Sequence, residues 1–166
     1  LEALLDPMVT STLTTVTDTG IAFTGSSASV QFDSVEVVWI VGGDKPDVID
    51  ASAFSGFGLL QGGGGNDVLH SSRGSSVLDG GSGDDRFVLR QDSVADLDVI
   101  TGGDGVDTLD FSGFTTGVVV DISTLVALQV VVPAEQSLWL NSEDVEAIVG
   151  GTGADTLRSG PENDLV

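Results

Sequence analysis

The chain has 166 residues, enough for one domain with a hydrophobic core, and 26 acidic against 5 basic side chains give it a formal net charge of −21. This charge argues against nucleic acid and anionic membranes as partners, because both attract positively charged proteins. The 40% hydrophobic content and a mean hydropathy of +0.28 argue against a disordered acidic segment, and the lack of cysteine excludes a disulfide framework.

Residues 1–41 contain no strong internal repeat, and Thr, Val and Ser are frequent among them. Gly20–Thr24 and Ser29–Phe32 are typical of short strands separated by a turn. We therefore expect residues 1–41 to form a β-rich N-terminal cap or the coils that lead into a solenoid. The chain begins at Leu1 without a basic n-region, so we predict no signal peptide and expect an excised fragment.

From residue 42 onward the chain repeats a nine-residue pattern, G-G-x-G-x-D-x-U-x, in which U is a large apolar residue. The glycines allow backbone angles that turn carbonyl oxygens into the loop, where a β-carbon would otherwise collide. The last three residues fit a very short strand whose middle side chain points to the core. Four strong copies begin at Gly62, Gly80, Gly102 and Gly150. The core residues predicted from them are Leu69, Phe87, Leu109 and Leu157.

Weaker copies extend the pattern, and those that begin at 71, 93 and 159 are in frame with an adjacent strong copy. The copy at 71–79 lacks the aspartate and fills the gap between the copies that begin at Gly62 and Gly80, which lie eighteen residues apart. One coil of the predicted solenoid therefore comprises two nonapeptides, and the loops that begin at 62 and 80 lie on the same side. Three further copies each keep one aspartate as a candidate metal ligand, and they are 42–50 with Asp47, 93–101 with Asp98 and 159–166 with Asp164.

The repeated loops predict calcium binding, because each loop offers main-chain carbonyl oxygens and one carboxylate. Calcium is a hard cation that takes about six to eight oxygen ligands at roughly 2.3–2.6 Å. One loop supplies about half of that shell, so two stacked loops must share each ion. The alternative is that each aspartate only caps its own turn, as in an Asx-turn. Ordinary turns, however, do not repeat in stacking register.

Residues 111–140 form the longest interruption of the repeat. Within them Val118, Val120 and Ile122 lie at alternate positions, which predicts a strand longer than the three-residue strands of the repeats. We expect an irregular, widened coil here, with apolar surface for a neighbouring domain. The most apolar run, Gly117–Pro133, is shorter than the roughly 20 residues that a membrane span requires, so no transmembrane segment is predicted.

The four strong copies resemble the calcium-binding nonapeptide repeats of the RTX (repeats-in-toxin) family. The resemblance implies an all-β fold, a right-handed parallel β-roll or β-solenoid of RTX type with irregular longer-strand coils. Residues 42–166 would form this calcium-binding roll, with an insertion at about 111–140. Residues 1–41 would then be its cap.

The resemblance also implies several calcium ions, each held between two loops on the same side of the roll. Each ion takes the second and fourth carbonyls of one loop, the first and third carbonyls of the next, and both sixth-position aspartates. For the first ion these residues are Gly63, Gly65 and Asp67 with Gly80, Ser82 and Asp85. For the second they are Gly81, Gly83 and Asp85 with Gly102, Asp104 and Asp107. Asp155 is a further candidate ligand, whose same-side partner loop is either poor or beyond the chain.

Family members of this kind are secreted bacterial proteins that leave the cell by type I secretion and fold where calcium is abundant. The resemblance therefore implies a secreted or cell-surface calcium-binding module that acts as a structural or adhesive scaffold, with calcium and neighbouring domains of the same polypeptide as partners. Two alternatives remain at this point. In the first, the chain would be the C-terminal roll of a secreted hydrolase or toxin. In the second, it would be a carbohydrate-binding module.

The residues do not predict an enzyme. His70 is the only histidine, and no G-x-S-x-G motif accompanies it, so a Ser-His-Asp triad is not indicated. The repeat aspartates are committed to cation binding and should be ionised, whereas a general acid needs a raised pKa. Trp39 and Trp139 are too few for a sugar-stacking platform, and we expect them to fill the core or seal the end of a coil.

Overall fold

The computed structural model describes residues 13–23, 29–31, 35–91, 96–122, 127–132, 136–140 and 144–158. These residues form strands and turns joined into a parallel β-solenoid, which confirms the predicted fold class. The part of the chain that is described contains no helix long and apolar enough to cross a bilayer. The strands, in chain order, are β1 (Leu13–Thr17), β2 (Gly20–Phe23), β3 (Ser29–Gln31), β4 (Val37–Val41), β5 (Val48–Ala53), β6 (Phe57–Gly64), β7 (Val68–His70), β8 (Ser76–Ser82), β9 (Arg86–Val88), β10 (Asp96–Asp104), β11 (Thr108–Asp110), β12 (Val119–Asp121), β13 (Ala127–Val132), β14 (Gln136–Leu140), β15 (Ala147–Val149) and β16 (Thr156–Arg158).

From β4 to β11, successive strands alternate between two sheets that form the walls of the roll. The first, which we call the long-strand sheet, has the order β13-β14-β10-β8-β6-β4, and its strands are parallel except for β13. The second, the short-strand sheet, has the order β15-β11-β9-β7-β5-β1-β2-β3 and is parallel from β15 to β1. The chain therefore leaves a long strand, makes a loop, enters a short strand and returns by a turn.

Antiparallel strands lie at both ends of the stack. Strands β1, β2 and β3 pair antiparallel at the N-terminal end of the short-strand sheet. At the other end β13 pairs antiparallel with β14, and β12 and β16 form a separate parallel pair. Strand β12 has only three residues, so the predicted longer strand at this position is wrong. The alternation itself holds, because Val118, Val120 and Ile122 are all buried.

The core is a ladder of inward side chains, one from each strand of each coil. In the long-strand sheet Ile40, Leu60, Leu78 and Ile100 stand in register and are buried. In the short-strand sheet the buried ladder is Ile49, Leu69, Phe87, Leu109 and Ile148. Each such burial stabilises the fold by about 1.5–3 kcal/mol relative to exposure. Since neighbouring rungs are of similar size, the coils stack without large gaps.

Three of the four core residues predicted from the repeats are confirmed, since Leu69, Phe87 and Leu109 are fully buried. Leu157 is only partly buried, because β16 pairs with β12 and not with the main sheets. The expectation that Trp39 fills the core is wrong. Its side chain lies on the outer face of the edge strand β4, is 41% exposed and donates a hydrogen bond from Nε1 to Gln61 Oε1 at 2.9 Å. The side chain of Trp139 lies outside what the structure describes.

Candidate metal centre

Three glycine-rich loops stack along one edge of the roll, where the long strands turn into the short ones. They are loop 62 (residues 62–67), loop 80 (80–85) and loop 102 (102–107). Strand pairing places Gly63, Gly81 and Gly103 side by side, so the second positions of the three loops are in register. The predicted phase, in which loops 62 and 80 share a side, is confirmed by this pairing. The copy at 71–79 turns on the opposite edge.

The glycines at the second and fourth positions of each loop have left-handed backbone conformations. Gly81, for example, has φ of 104°, and the others in this class are Gly63, Gly65, Gly83, Gly103 and Gly105. A residue with a β-carbon reaches this region only at a free-energy cost. At Gly81 a β-carbon would also lie 2.1 Å from the carbonyl oxygen of Gly63. The pattern thus requires glycine both for the turn and for the close approach of the preceding loop.

Carbonyl oxygens from two adjacent loops line the space between them. The carbonyl of Gly63 points at Gly81, and the carbonyl of Gly81 points at Gly103 in the same way. In the opposite direction, the carbonyl oxygen of Gly80 lies 2.7 Å from the point where a β-carbon on Gly62 would stand. The carbonyl oxygen of Gly102 lies 2.6 Å from the corresponding point on Gly80. Second-position carbonyls therefore point toward the next loop in the chain, which we call forward, and first-position carbonyls point toward the preceding loop, which we call backward.

Third-position carbonyls join the loops by hydrogen bonds. Gly65 N donates to Ser82 O at 2.8 Å, and Gly83 N donates to Asp104 O at 2.7 Å. A carbonyl oxygen has two lone pairs, so one hydrogen bond leaves capacity for a second ligand. These bonds fix the distance between neighbouring loops and with it the size of the oxygen-lined space.

The sixth-position aspartates form a ladder that runs along the stack. Asp67 N donates to Asp85 Oδ1 at 2.7 Å, and Asp85 N donates to Asp107 Oδ1 at 2.8 Å. At the N-terminal end Asp47 N donates to Asp67 Oδ1 at 2.7 Å. One carboxylate oxygen of each aspartate thus holds the preceding loop in place, which leaves the other oxygen for a different partner.

The second carboxylate oxygen of each of these aspartates has no hydrogen-bond partner. Oδ2 of Asp67, Asp85 and Asp107 is buried and unpaired, and the three residues are at most 1% exposed. Each Oδ2 lies inside its own loop, 2.3 or 2.4 Å from the β-carbon position of the first glycine. A buried anionic oxygen without a partner costs free energy, unless a cation binds it. The donor set, carbonyls plus carboxylates, is the one that calcium prefers.

Burial also changes the acidity of these groups. Loss of solvation raises the pKa of Asp67 to about 6, although the hydrogen bond from Asp47 N opposes the change and the neighbouring carboxylates add to it. Burial, with the charges of Asp85, Glu146 and Asp84, likewise raises the pKa of Asp107 to about 6, against the hydrogen bond from Asp85 N. The pKa of Asp85 is raised as well, chiefly by burial. Without a cation nearby, these aspartates therefore lose their protons less readily than exposed aspartates do.

Asp47 differs from the other three aspartates, because its own loop already pairs its second oxygen. Gly43 N donates to Asp47 Oδ2 at 2.8 Å. Pro46 occupies the place of a glycine in this loop, and the backbone of Lys45 and Pro46 packs against Gly65, whose β-carbon would lie 2.5 Å from Lys45 C. The loop at 42–47 therefore closes the stack with a satisfied aspartate.

Asp98 and Asp155 lie away from the three loops. Asp98 is buried at the start of β10 on the opposite edge, where its Oδ1 accepts a hydrogen bond from Ser76 N at 2.9 Å. Asp155 Oδ1 accepts from Val118 N at 3.0 Å, and its loop packs on residues 114–117. Gly151 and Gly153 do not adopt left-handed φ values. Asp164 lies outside the described residues.

Glu146 continues the aspartate ladder, and the sequence pattern missed it. Asp107 N donates to Glu146 Oε2 at 2.8 Å, as Asp85 N does to Asp107 Oδ1. Ala147 N donates to Asp107 O at 2.9 Å, as Thr108 N does to Asp85 O at 2.8 Å. Glu146 thus occupies a sixth position in a loop without glycine. The signal was the spacing of Glu146 to Ile148, which equals the spacing from aspartate to apolar residue in the strong copies.

Side chains alone do not compose a metal cluster in the described part of the chain, where no three His, Asp or Glu residues gather around one point. This agrees with loops that offer main-chain oxygens and one carboxylate each.

A family model described as RTX calcium-binding nonapeptide repeat matches the chain in four copies, over residues 61–92, 95–114 and 142–166. Comparisons with curated proteins and with solved structures gave no match. The matched segments include loops 62, 80 and 102.

Proposed function

We propose that this chain, which carries RTX calcium-binding nonapeptide repeats in its matched segments, serves in a secreted or cell-surface bacterial protein as a structural or adhesive scaffold that folds on calcium outside the cell. The observation that carries the proposal is the row of three buried, unpaired Oδ2 atoms between carbonyl-lined loops. Burying these oxygens without a partner costs free energy, and a cation bound between the loops would remove that cost.

The orientation of the loop oxygens supports two ligand sets, each for one calcium ion. One ion lies between loops 62 and 80, and the other between loops 80 and 102. Forward-facing and backward-facing carbonyls support this choice, because they point into the same space from both sides. The first ligand set is Gly63, Gly65, Asp67, Gly80, Ser82 and Asp85, and the second is Gly81, Gly83, Asp85, Gly102, Asp104 and Asp107. Asp85 belongs to both sets.

The charge of the whole chain supports folding that depends on calcium. With a formal net charge of −21, compaction brings like charges together and is opposed by their repulsion. Bound calcium removes part of that repulsion, so its binding free energy becomes folding free energy. Extracellular calcium modules bind with dissociation constants of about 10⁻⁴–10⁻³ M. Millimolar calcium outside a cell would then populate the fold, whereas the far lower concentration inside would not.

The RTX repeat is a structural calcium-binding motif and not itself catalytic. The geometry agrees, because the buried carboxylates are bound to main-chain amides and His70 lies on the outer face of β7, in register with Asp50 and Val88. We therefore place no reaction in this module. A catalytic domain elsewhere in the same polypeptide is compatible with this role.

Limited proteolysis at buffered free calcium tests the proposal. We expect rapid cleavage within residues 62–107 at submicromolar calcium and protection at millimolar calcium, because without an ion the buried, unpaired carboxylate oxygens destabilise the stacked loops. Magnesium at the same concentration is the control, since it demands a smaller octahedral shell and should not protect. Equal cleavage at both calcium concentrations would reject the role of calcium in folding.

A further inference from the structure

The stack of loops does not end at loop 102, although the glycine pattern does. The chain returns to this edge between β14 and β15, and the described residues there are Asp144, Val145 and Glu146. Strand β15 pairs in parallel with β11, so this return segment lies on loop 102 as loop 102 lies on loop 80.

Two oxygens of the return segment take the places that a glycine-rich loop would fill. The carbonyl oxygen of Asp144 lies against Gly102, at the point where a β-carbon would stand, as the carbonyl oxygen of Gly102 lies against Gly80 at 2.6 Å from the same point. The carboxylate of Glu146 takes the place of the sixth-position aspartate, with Oε2 accepting from Asp107 N at 2.8 Å. A first-position carbonyl and a sixth-position carboxylate are therefore supplied by Asp144 and Glu146, which lie two residues apart in the sequence.

The opposite wall of the same space is complete. Gly103 has φ of 108°, close to the values of Gly63 and Gly81, whose carbonyls point to the following loop. Independently of these carbonyls, Asp107 is fully buried and its Oδ2 has no hydrogen-bond partner. An unpaired buried carboxylate oxygen at this level requires a cation as the other two aspartates do.

We infer that a third calcium ion binds between loop 102 and the segment Asp144–Glu146, held by Gly103 O, Gly105 O, both carboxylates of Asp107 and Glu146, and Asp144 O. The inference rests on the proposed function, because it extends the same mode of binding by one level. It adds two ligand residues that do not belong to any strong copy of the repeat. The site closes the C-terminal end of the loop stack, whereas Asp47 closes the N-terminal end with a hydrogen bond from Gly43.

Native mass spectrometry of the whole chain at a series of free calcium concentrations tests this site by counting ions. The variant is Glu146→Gln, in which the amide oxygen still accepts the hydrogen bond from Asp107 N but the charge is lost. We expect one ion fewer than in the wild-type chain, recovered only at calcium concentrations higher by at least about tenfold, because one carboxylate ligand is missing. Glu36→Gln is the matched control, since Glu36 is exposed and precedes β4 at the other end of a strand.

An unchanged ion count and unchanged affinities in Glu146→Gln would overturn the third site and leave Glu146 as a hydrogen-bond acceptor only. That result would not touch the two ions between the glycine-rich loops, which the wild-type chain would still bind. A wild-type chain that binds no calcium would overturn both this site and the proposed function. Far-UV circular dichroism in saturating calcium checks the fold of each variant. If Glu146→Gln does not fold, Glu146→Asp replaces it: weaker binding of one ion supports the site, and unchanged binding rejects it.

Discussion

Replacing Asp85 with asparagine should change stability in opposite directions with and without calcium. Asparagine keeps the shape of the side chain and an oxygen that can accept the hydrogen bond from Asp67 N, 2.7 Å long in the native ladder. It removes the charge and the unpaired Oδ2. In chelator the variant should be more stable than the wild-type chain, because a buried carboxylate without a partner is more costly than a neutral amide.

In calcium the same substitution should be strongly destabilising, because Asp85 is assigned to two ions. A divalent ion and a carboxylate oxygen about 2.4 Å apart attract each other by about 3 kcal/mol even at the dielectric constant of water. This corresponds to roughly a hundredfold in affinity. At a calcium concentration about 100 times the dissociation constant, one ion stabilises the fold by about 2.7 kcal/mol, and a hundredfold weaker site leaves about 0.4 kcal/mol. For two ions the loss is about 4–5 kcal/mol.

Urea unfolding followed by circular dichroism in saturating calcium measures the loss, and the β signal of the variant in chelator, compared with that of the wild-type chain in chelator, measures the gain. Asp155→Asn is the matched control, because Asp155 also accepts a main-chain hydrogen bond, from Val118 N at 3.0 Å, but lies away from loops 62, 80 and 102. We expect its calcium-dependent stability to change by less than half as much. Equal losses in the two variants, or a loss for Asp85→Asn that is as large in chelator as in calcium, would refute the shared role of Asp85.

Two further predictions concern the loop backbone and the acidity of the ladder. Gly81→Ala should destabilise the calcium-bound fold by at least about 2 kcal/mol in urea unfolding, because alanine is strained at φ of 104° and its β-carbon meets Gly63 O. Gly113→Ala, where nothing lies within 4 Å, is its control and should leave stability nearly unchanged. In chelator, the pKa values of Asp67 and Asp107, raised by burial from 3.8 to about 6, should make the fold more stable in acid. Their contribution is full below about pH 4 and is lost as the pH rises through about 6, so a circular dichroism titration should show more β-structure at pH 5 than at pH 7. In saturating calcium the fold should instead become less stable in acid, because protons compete with the ions for the same oxygens. A β signal that rises with pH in chelator would contradict this account.

Much of the fold could be predicted from the sequence, because the repeat specifies local structure at each step. A glycine in the second and fourth position of a loop selects the left-handed turn, and an apolar residue two places after the aspartate selects the inward side chain of the next strand. Leu69, Phe87 and Leu109 are buried for that reason. The eighteen-residue phase between two strong copies similarly placed their loops on one edge, because each coil there has two short segments.

The sequence could not show on which edge of the roll the later loops lie, because that edge depends on how many strands separate two copies. Four strands, from β11 to β14, separate loop 102 from β15, so the next loop on the same edge is the segment that ends at Glu146. The copy that begins at Gly150 therefore falls on the other edge, against residues 114–117. Glu146 escaped the pattern because its loop contains no glycine. Its role follows only from pairing between strands far apart in the sequence, which local spacing does not contain.

Far-UV circular dichroism during a calcium titration of the chelated chain, with magnesium as control, tests the central claim most directly. If ions between the loops hold the coils together, the chelated chain should have little β signal at pH 7. Calcium should then restore it cooperatively near millimolar concentration, where magnesium does not. A spectrum already rich in β-structure in chelator, and indifferent to calcium, would show that the roll is held by its core alone and would contradict the claim.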